Sequence, residues 1–523
     1  MTASGVIIAS NASARSHEDV EVTEKASPGY EVDVEKDVQD AAGKGFTATD
    51  NHGIPLVEFD RVAERKLRTK IDLLVVPTVS LLYLFCFIDR ANIGNARLAG
   101  LEADLGLRGN DYNQLLSIFY ISYILFEIPC NLLCKKMGPG WFLPLSSLGF
   151  GICSIGTAFV RDLPAASGVR FLLGIFEAGM MPGISYYLSR WYRRSELAFR
   201  LSLFIVMAPL AGAFGGLLAS AILMLPDFGI LTTWRMIFAI EGIITVGLSL
   251  VSFFTLTDRP ETAHWLTQDE KDLAVARVKS ERVAQTSVLD TLNWKRVKLG
   301  FWNPVIQTNA FIFLLNNITV QGLAFFTPTI VASIYPSYTT IQKQLFTVPP
   351  YAVGAVFEVI FPLLSWRFDR RQILIILTAP LTMVGYIMFL ASDDPRVRYA
   401  ATFFTAISCF AVGPLANAQA SAQVVSDSAR SMSLATNMMY GNVGGLIATW
   451  SYLSWDGPDY PIGNGLNLAA SSLILVLATL LLLWMHWDNR RREKRDVDLE
   501  LEGLSSTEIE SLEWKHPGWR WRP

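Results

Sequence analysis

The chain has 523 residues, of which 51% are hydrophobic and only 17% charged, with a formal net charge of −3. Soluble domains carry about 25% charged residues, so this composition excludes a protein solvated by water on all sides. Its apolar residues fall in blocks of roughly twenty with few charges, and at 1.5 Å rise per residue each block matches the ~30 Å hydrocarbon core of a bilayer.

Residues 1–65 are polar and acidic, with Glu18, Asp19, Glu21, Glu24, Glu31, Asp33, Glu35 and Asp37. This stretch resembles no secretory signal and holds too few apolar residues to fold alone, so it is expected to be a disordered cytoplasmic segment. Apolar runs then predict spans near 71–91, 115–134, 141–160, 168–189, 201–225 and 235–256, which make an N-terminal bundle over 66–257. Residues 258–300 are charged and predict amphipathic helix in a cytoplasmic central loop. Six further spans follow near 305–331, 348–366, 373–391, 399–425, 432–453 and 466–487, within a second bundle over 301–489, and a cytoplasmic tail covers 490–523. The expectation is an all-α membrane protein of twelve transmembrane helices in two six-helix bundles.

Lys and Arg are costly to translocate and set orientation. They collect after spans two, four, six, eight and ten, as Lys135, Lys136, Arg190, Arg193, Arg194, Arg200, the central loop, Arg367, Arg370, Arg371 and Arg430. They also flank the outermost spans, so both termini are expected in the cytoplasm. The halves resemble each other: Gly212-x-x-Gly215-Gly216-Leu217 in span five recurs as Gly441-x-x-Gly444-Gly445-Leu446 in span eleven. Duplication of a six-span unit explains this, and small residues at that spacing let helices approach closely. The five cysteines lie in or beside apolar blocks and form no disulfide framework. Cys130 and Cys134 are joined by no His or further Cys, so no metal site is expected.

An ionised side chain at the bilayer centre costs at least ~2.5–3.5 kcal/mol, which makes intramembrane charges candidates for function. These are Asp89 and Arg90 in span one, Glu127 in span two, Arg170 and Glu177 in span four, Glu241 in span six and Glu358 in span eight. Span one runs outward and reaches Arg90 late, whereas span four runs inward and meets Arg170 early, so both arginines belong to the outer half. Glu177 follows Arg170 by nearly two turns, on the same face and about 10 Å deeper. Arg90 and Arg170 are therefore expected to present guanidinium forks to an anionic substrate, with Glu177, and Asp89 beside it, in proton coupling. The structural alternative is an internal ion pair, Asp89 with Arg170 or Arg90 with Glu177. Glu127, near the cytoplasmic end of span two, reads as an anchor at the membrane interface. Asn316, Asn317 and Gln321 in span seven, with Asn437 and Asn442 in span eleven, either orient substrate or bridge helices.

The run Phe87-Ile-Asp-Arg-Ala-Asn-Ile-Gly-Asn-Ala96, with Asp104-Leu105-Gly106, resembles the signature of the fungal allantoate permease family. That family lies in the anion:cation symporter group of the major facilitator superfamily. Span four is similar too, with Arg170-Phe-Leu-Leu-Gly-Ile-Phe-Glu177-Ala-Gly and Pro182, as are Trp191-Tyr192, Glu196, Glu241-Gly242 and the terminal His516-Pro517-Gly518-Trp519-Arg520. Thr347-Val-Pro-Pro-Tyr-Ala-Val-Gly354 and Asp459-Tyr460-Pro-Ile-Gly-Asn-Gly465-Leu-Asn467 look most like its nicotinate-permease-like branch. The resemblance implies a major facilitator fold and import of a small organic anion with protons across the fungal plasma membrane. Arg90, Arg170 and Glu177 also resemble the cavity residues of animal organic anion transporters. The loop after span two departs from the superfamily pattern, reading Asn131-Leu-Leu-Cys-Lys135-Lys136-Met-Gly138 where an Asp-Arg pair is usual. No phosphate-binding glycine loop with its lysine is present, so an ion gradient is expected to supply the work.

The expected partners are a small-molecule organic anion, protons and the lipid bilayer, with no cofactor, no nucleic acid and no enzymatic activity, in a monomer. A proton-driven exporter of a secondary metabolite shares the same signature and stays open as an alternative. A non-transporting nutrient sensor is disfavoured by the short tails.

Overall fold

A computed structural model describes residues 60–192, 194–280, 294–424, 426–501, 503 and 512–523. The acidic segment up to 59 thus lies outside the described residues, while the first helix among the described residues begins at Arg61, inside the stretch expected to be disordered.

The N-terminal half contains α1 (Arg61–Leu98), α2 (Asp111–Met137), α3 (Pro139–Thr157) and α4 (Leu163–Trp191, interrupted at Ala178 and Gly179). It closes with α5, made of Arg194–Ile205 and Met207–Ile222, and α6 (Trp234–Thr255). The C-terminal half contains α7 (Pro304–Ile334), α8 (Val348–Phe368), α9 (Arg371–Ala391), α10 (Pro395–Ala422), α11 (Asp427–Ala448) and α12 (Pro461–Glu493). Starts are set by side-chain caps, with Asp162 accepting from the Ala165 amide, Asn303 from Val305 and Ser426 from Ala429. Proline often stands in the first turn, where its missing N–H has no helical partner to lose.

Among the described residues, ten helices are long and apolar enough to cross a membrane. The other two expected spans, α3 and α11, exist as helices but fall outside that ten. Pro, Gly and Ser dilute α3, and Ser, Thr, Asn and Gly dilute α11. Each lies along a partner, α3 on α6 and α11 on α7, so packing supplies what apolarity lacks. Large apolar side chains such as Leu73, Leu125, Leu132, Phe254, Leu480 and Leu483 are exposed on the outside of the bundle, the inverse of a soluble protein.

Within each half the helices pack in equivalent pairs, and three pairs join the halves: α1 with α7, α2 with α11 and α5 with α8. The repeated glycine motif lies on these joints. A Cβ on Gly216 would sit 2.8 Å from Oγ1 of Thr347, at the start of α8. At the matching place of the second copy, a Cβ on Gly445 would sit 2.5 Å from the Tyr120 ring of α2. The two copies therefore perform the same act, bringing the fifth helix of one half against the second helix of the other.

Beyond the helices, two segments tie the ends of the bundles. The helix Gln268–Ser280 of the central loop is anchored to the N-terminal half by Arg277, whose Nε meets Glu64 and Nη2 meets Glu196, each at 2.8 Å. Lys70 Nζ donates to Glu270 at 2.7 Å. Burial alone would push the Glu270 carboxyl up, but the bonds from Lys70 and the Thr267 amide outweigh it and hold it below the usual glutamate range. At the other half, residues 512–523 return to the bundle. Trp521 is 2% exposed, packs on Val305, Leu481 and Met485, and donates from Nε1 to Asp488 at 2.7 Å.

Candidate functional site

Eight of the twelve helices, α1, α2, α4, α5, α7, α8, α10 and α11, line one cavity of about 110 Å³ between the halves. Its N-terminal wall carries Tyr83, Phe87 and Arg90 of α1, Tyr123 and Glu127 of α2, and Glu177 of α4; its C-terminal wall carries Asn316, Asn317, Gln321 and Glu358. These follow helical spacing. Tyr83, Phe87 and Arg90 differ by four and three positions, as do Phe313, Asn317 and Val320, so each set shares a face.

Arg90 is the centre of the N-terminal wall. Its Nε and Nη2 donate to Oε2 of Glu177 at 3.0 and 2.8 Å, with 8% of the arginine side chain exposed and none of the glutamate. The guanidinium carbon also lies 4.7 Å from the Phe87 ring centre, 5.1 Å from Phe119 and 5.3 Å from Tyr123. One acidic partner and three ring faces thus stabilise a cation that burial would otherwise penalise. Oε1 of Glu177 has no partner among the described residues, and Nη1 of Arg90 takes no part in the pair.

The other expected site residues divide. Asn316 donates to the Cys409 carbonyl at 3.0 Å and Asn317 to the Phe313 carbonyl at 2.9 Å, and both line the cavity. Gln321 lines it with Oε1 unpartnered among the described residues. Asn442 lines it and donates to Oε2 of Glu127 at 2.8 Å, a bond between the halves. This corrects the reading of Glu127 as an interfacial anchor: it belongs to the cavity wall.

Three residues stand elsewhere. Asn437 bridges helices, donating to Ala416 and Asn417 and accepting from Asn309, each at 3.3 Å. Asp89 turns into the N-terminal half, where it accepts from Ser154 at 2.8 Å and Thr245 at 3.3 Å. Adjacent helical residues point about 100° apart, and on α1 it is Arg90 that faces the cavity while Asp89 does not line it. Arg170 is also buried off the cavity wall, with its guanidinium 5.7 Å from the Phe238 ring centre and Nε without a partner among the described residues. It shares a face with Glu177, but two turns nearer the start of α4, toward the end at which the halves are sealed.

That seal involves the start of α2 and the segment after α11. Asn113 donates to the carbonyls of Thr449 and Tyr452 at 2.6 and 3.2 Å, Ser117 and Thr449 hydroxyls meet at 2.8 Å, and Trp450 Nε1 donates to Ser117 at 2.8 Å. Tyr112 packs edge-on against Phe326 nearby. Glu358 of α8 is one of the intramembrane charges to which the sequence assigns no partner. It is 3% exposed on the cavity wall with Oε2 unpartnered among the described residues. Glu241, buried in α6, has neither carboxyl oxygen partnered among those residues.

The family model of the Major Facilitator Superfamily matches residues 79–449. An uncharacterised transporter of Schizosaccharomyces pombe is 32% identical over 441 residues, covering 83% of this chain and 85% of that protein. The MFS-type transporter efuF of Hormonema carpetanum is 30% identical over 480 residues, covering 91% and 96%. Among solved structures, the D-xylose-proton symporter superposes with a TM-score of 0.60 at 17% identity, covering 77% of this chain and 97% of its own. A bacterial homologue of the human lysosomal transporter Spinster, in an inward-facing and unoccupied conformation, gives 0.60 at 14%, covering 78% and 95%. At such identities these structures speak for the fold alone.

Proposed function

The chain belongs to the Major Facilitator Superfamily, and from that premise we propose that it is a secondary active transporter importing a small organic anion together with protons. The carrying observation is the Arg90–Glu177 pair on the wall of a cavity built by both halves. Removing one partner from a buried pair costs about 3–5 kcal/mol, so Arg90 needs a carboxylate facing it in every state. In the empty carrier that carboxylate is Glu177. A substrate carboxylate replaces it only when a proton cancels the charge of Glu177, and a proton alone leaves Arg90 bare. Anion and proton therefore load together, which is symport.

The motifs around Arg90 and in the second half support a place in the allantoate-permease-like, nicotinate-like branch. The Lys and Arg distribution supports both termini in the cytoplasm and the sealed end outward, and the family resemblance supports a plasma membrane. On that orientation the cavity belongs to the inward-facing state. Parting of the sealed ends would then bare Arg170, the first guanidinium an incoming anion meets, while Asp89 behind Arg90 would serve as a further proton acceptor.

Uptake of labelled monocarboxylates by cells expressing the chain, with and without a proton uncoupler, tests this. Arg90→Ala and Glu177→Gln at matched surface expression should each lower uptake at least about tenfold, the loss of roughly one charge-assisted bond. Normal uptake in both variants would end the site assignment, and uptake indifferent to the uncoupler would end the coupling.

A further inference from the structure

The connection between α5 and α6 is built unlike a loop that faces water. Residues 223–233 read Leu-Met-Leu-Pro-Asp-Phe-Gly-Ile-Leu-Thr-Thr, with Asp227 as the single charge. Phe228 and Leu231 exchange backbone hydrogen bonds, each amide donating to the other's carbonyl at 3.0 Å, which closes a two-residue hairpin turn. Gly229 stands at φ +60°, the left-handed value that such a turn asks of its first central residue. The base of the hairpin is fixed: Leu223 and Leu231 pack on Ala219, Ile222, Met236 and Ile237, and Trp234 at the start of α6 donates from Nε1 to Asp104 at 2.8 Å. The tip is the reverse. Met224, Leu225, Phe228 and Ile230 are 68%, 50%, 78% and 67% exposed, left largely uncovered by the described residues.

The row and the depth of these side chains identify what covers them. Phe214, Leu217 and Ala221 of α5 are exposed at spacings of four and three, along the side of the helix that faces outward from the bundle, and Met224, Leu225 and Phe228 prolong that row past the helix end. The apolar run of α5, Leu203–Ile222, has 20 residues. At 1.5 Å per residue it spans about 30 Å, the thickness of the hydrocarbon core, so the hairpin begins where acyl chains give way to headgroups. A loop at the same end shows the contrast: the α9–α10 connection reads Ser392-Asp393-Asp394-Pro395-Arg396, and the Asp393 side chain is 96% exposed. We propose that the α5–α6 hairpin is a lipid-binding surface, inserting Met224, Leu225, Phe228 and Ile230 into the headgroup–acyl boundary of the leaflet at the sealed end. Its one charge does not oppose insertion, since Asp227 is turned back to the base, where it accepts from the Thr233 amide at 3.4 Å. Four side chains fall well short of the about 20–30 residues a side that a specific protein interface uses, and they continue a surface that already faces the bilayer, so the occupant is lipid and not a second copy of the chain.

The test places a nitroxide on single added cysteines in the full chain, reconstituted in phosphatidylcholine vesicles, and compares collisions of the label with oxygen, which concentrates in lipid, and with a water-soluble nickel chelate. Phe228→Cys and Ile230→Cys probe the hairpin, Phe214→Cys is the lipid reference and Asp393→Cys the water reference, each verified as folded by its unfolding transition. The unsubstituted chain, whose cysteines are buried apart from the half-buried Cys130, gives the labelling background. Nickel collisions at both hairpin positions should be at least about threefold below those at Asp393→Cys, with an oxygen-to-nickel ratio between the two references, as for groups ~5–10 Å into the boundary. Nickel access equal to that at Asp393→Cys would place the hairpin in water and overturn the proposal. Loss of both kinds of collision would overturn it too: with spin–spin broadening that fades as the chain is diluted in lipid, the occupant is a second copy, and without broadening the hairpin is covered by its own chain. None of these outcomes bears on the transport reading, because no hairpin residue lines the cavity.

Discussion

Arg90 and Glu177 pose a choice that geometry alone leaves balanced, because a buried ion pair serves equally as a lock between α1 and α4 or as a gate for charge. The energetics separate the two. Breaking a buried pair is destabilising, whereas replacing both partners by apolar groups of similar volume is often neutral or stabilising. Glu177→Gln should therefore lower the unfolding free energy by about 3 kcal/mol, and the double variant Arg90→Met, Glu177→Leu should recover most of it. The recovered protein should still carry no substrate. Thermal unfolding and uptake measured on the same preparations check this, and a stable double variant with normal uptake would make the pair a lock. Both residues were legible in the sequence, because charges are rare at bilayer depth. Their partner was not decided there: Asp89–Arg170 and Arg90–Glu177 were equally open, and the packing of α4 against α1 selected the second.

At the scale of elements, span positions were read well wherever apolar length carried the signal, and α3 and α11 show where it weakens. The tail is the larger surprise. The His516-Pro517-Gly518-Trp519-Arg520 run was noted only as a likeness, yet it belongs to a clamp across the ends of α7, α10 and α12. Gln419 donates to the Arg522 carbonyl at 3.0 Å, Asn489 both accepts from and donates to the Trp521 backbone, and Arg492 reaches the Trp514 and His516 carbonyls. Nothing in a short polar tail with scattered tryptophans announces a docking surface made by residues far away in sequence. Trp521→Ala should cost about 3–5 kcal/mol, as for other buried tryptophans, and speed proteolysis at the ends of α7 and α12. Limited proteolysis with mass spectrometry reads this out, and an unchanged cleavage pattern would show that the tail does not hold the C-terminal half.

The whole molecule works only if its sealed end can open. Asn113, Ser117, Thr449 and Trp450 join the halves there through hydrogen bonds and side-chain packing, beside the glycine contacts of α2 with α11. Alternating access requires these contacts to part in every cycle. Paired cysteines at Ser117 and Thr449, whose hydroxyls lie 2.8 Å apart, should cross-link on oxidation, abolish uptake, and regain it on reduction. Uptake that persists in the fully cross-linked protein would mean that the halves do not separate at this end.

The sequence by itself determined an all-helical membrane chain, its two related halves, and the few charged groups able to act inside it. Those conclusions rest on run length, charge rarity and repeated spacing, all properties of a single strand of text. Tertiary structure alone decided that Arg90 and Glu127 face the cavity, that Asp89 and Arg170 do not, and that Glu358 and Gln321 complete the opposite wall. The reason is physical: periodicity along a helix says which residues share a face, but the neighbour that face meets depends on how the helices pack, and packing is settled by contacts between positions far apart in the chain.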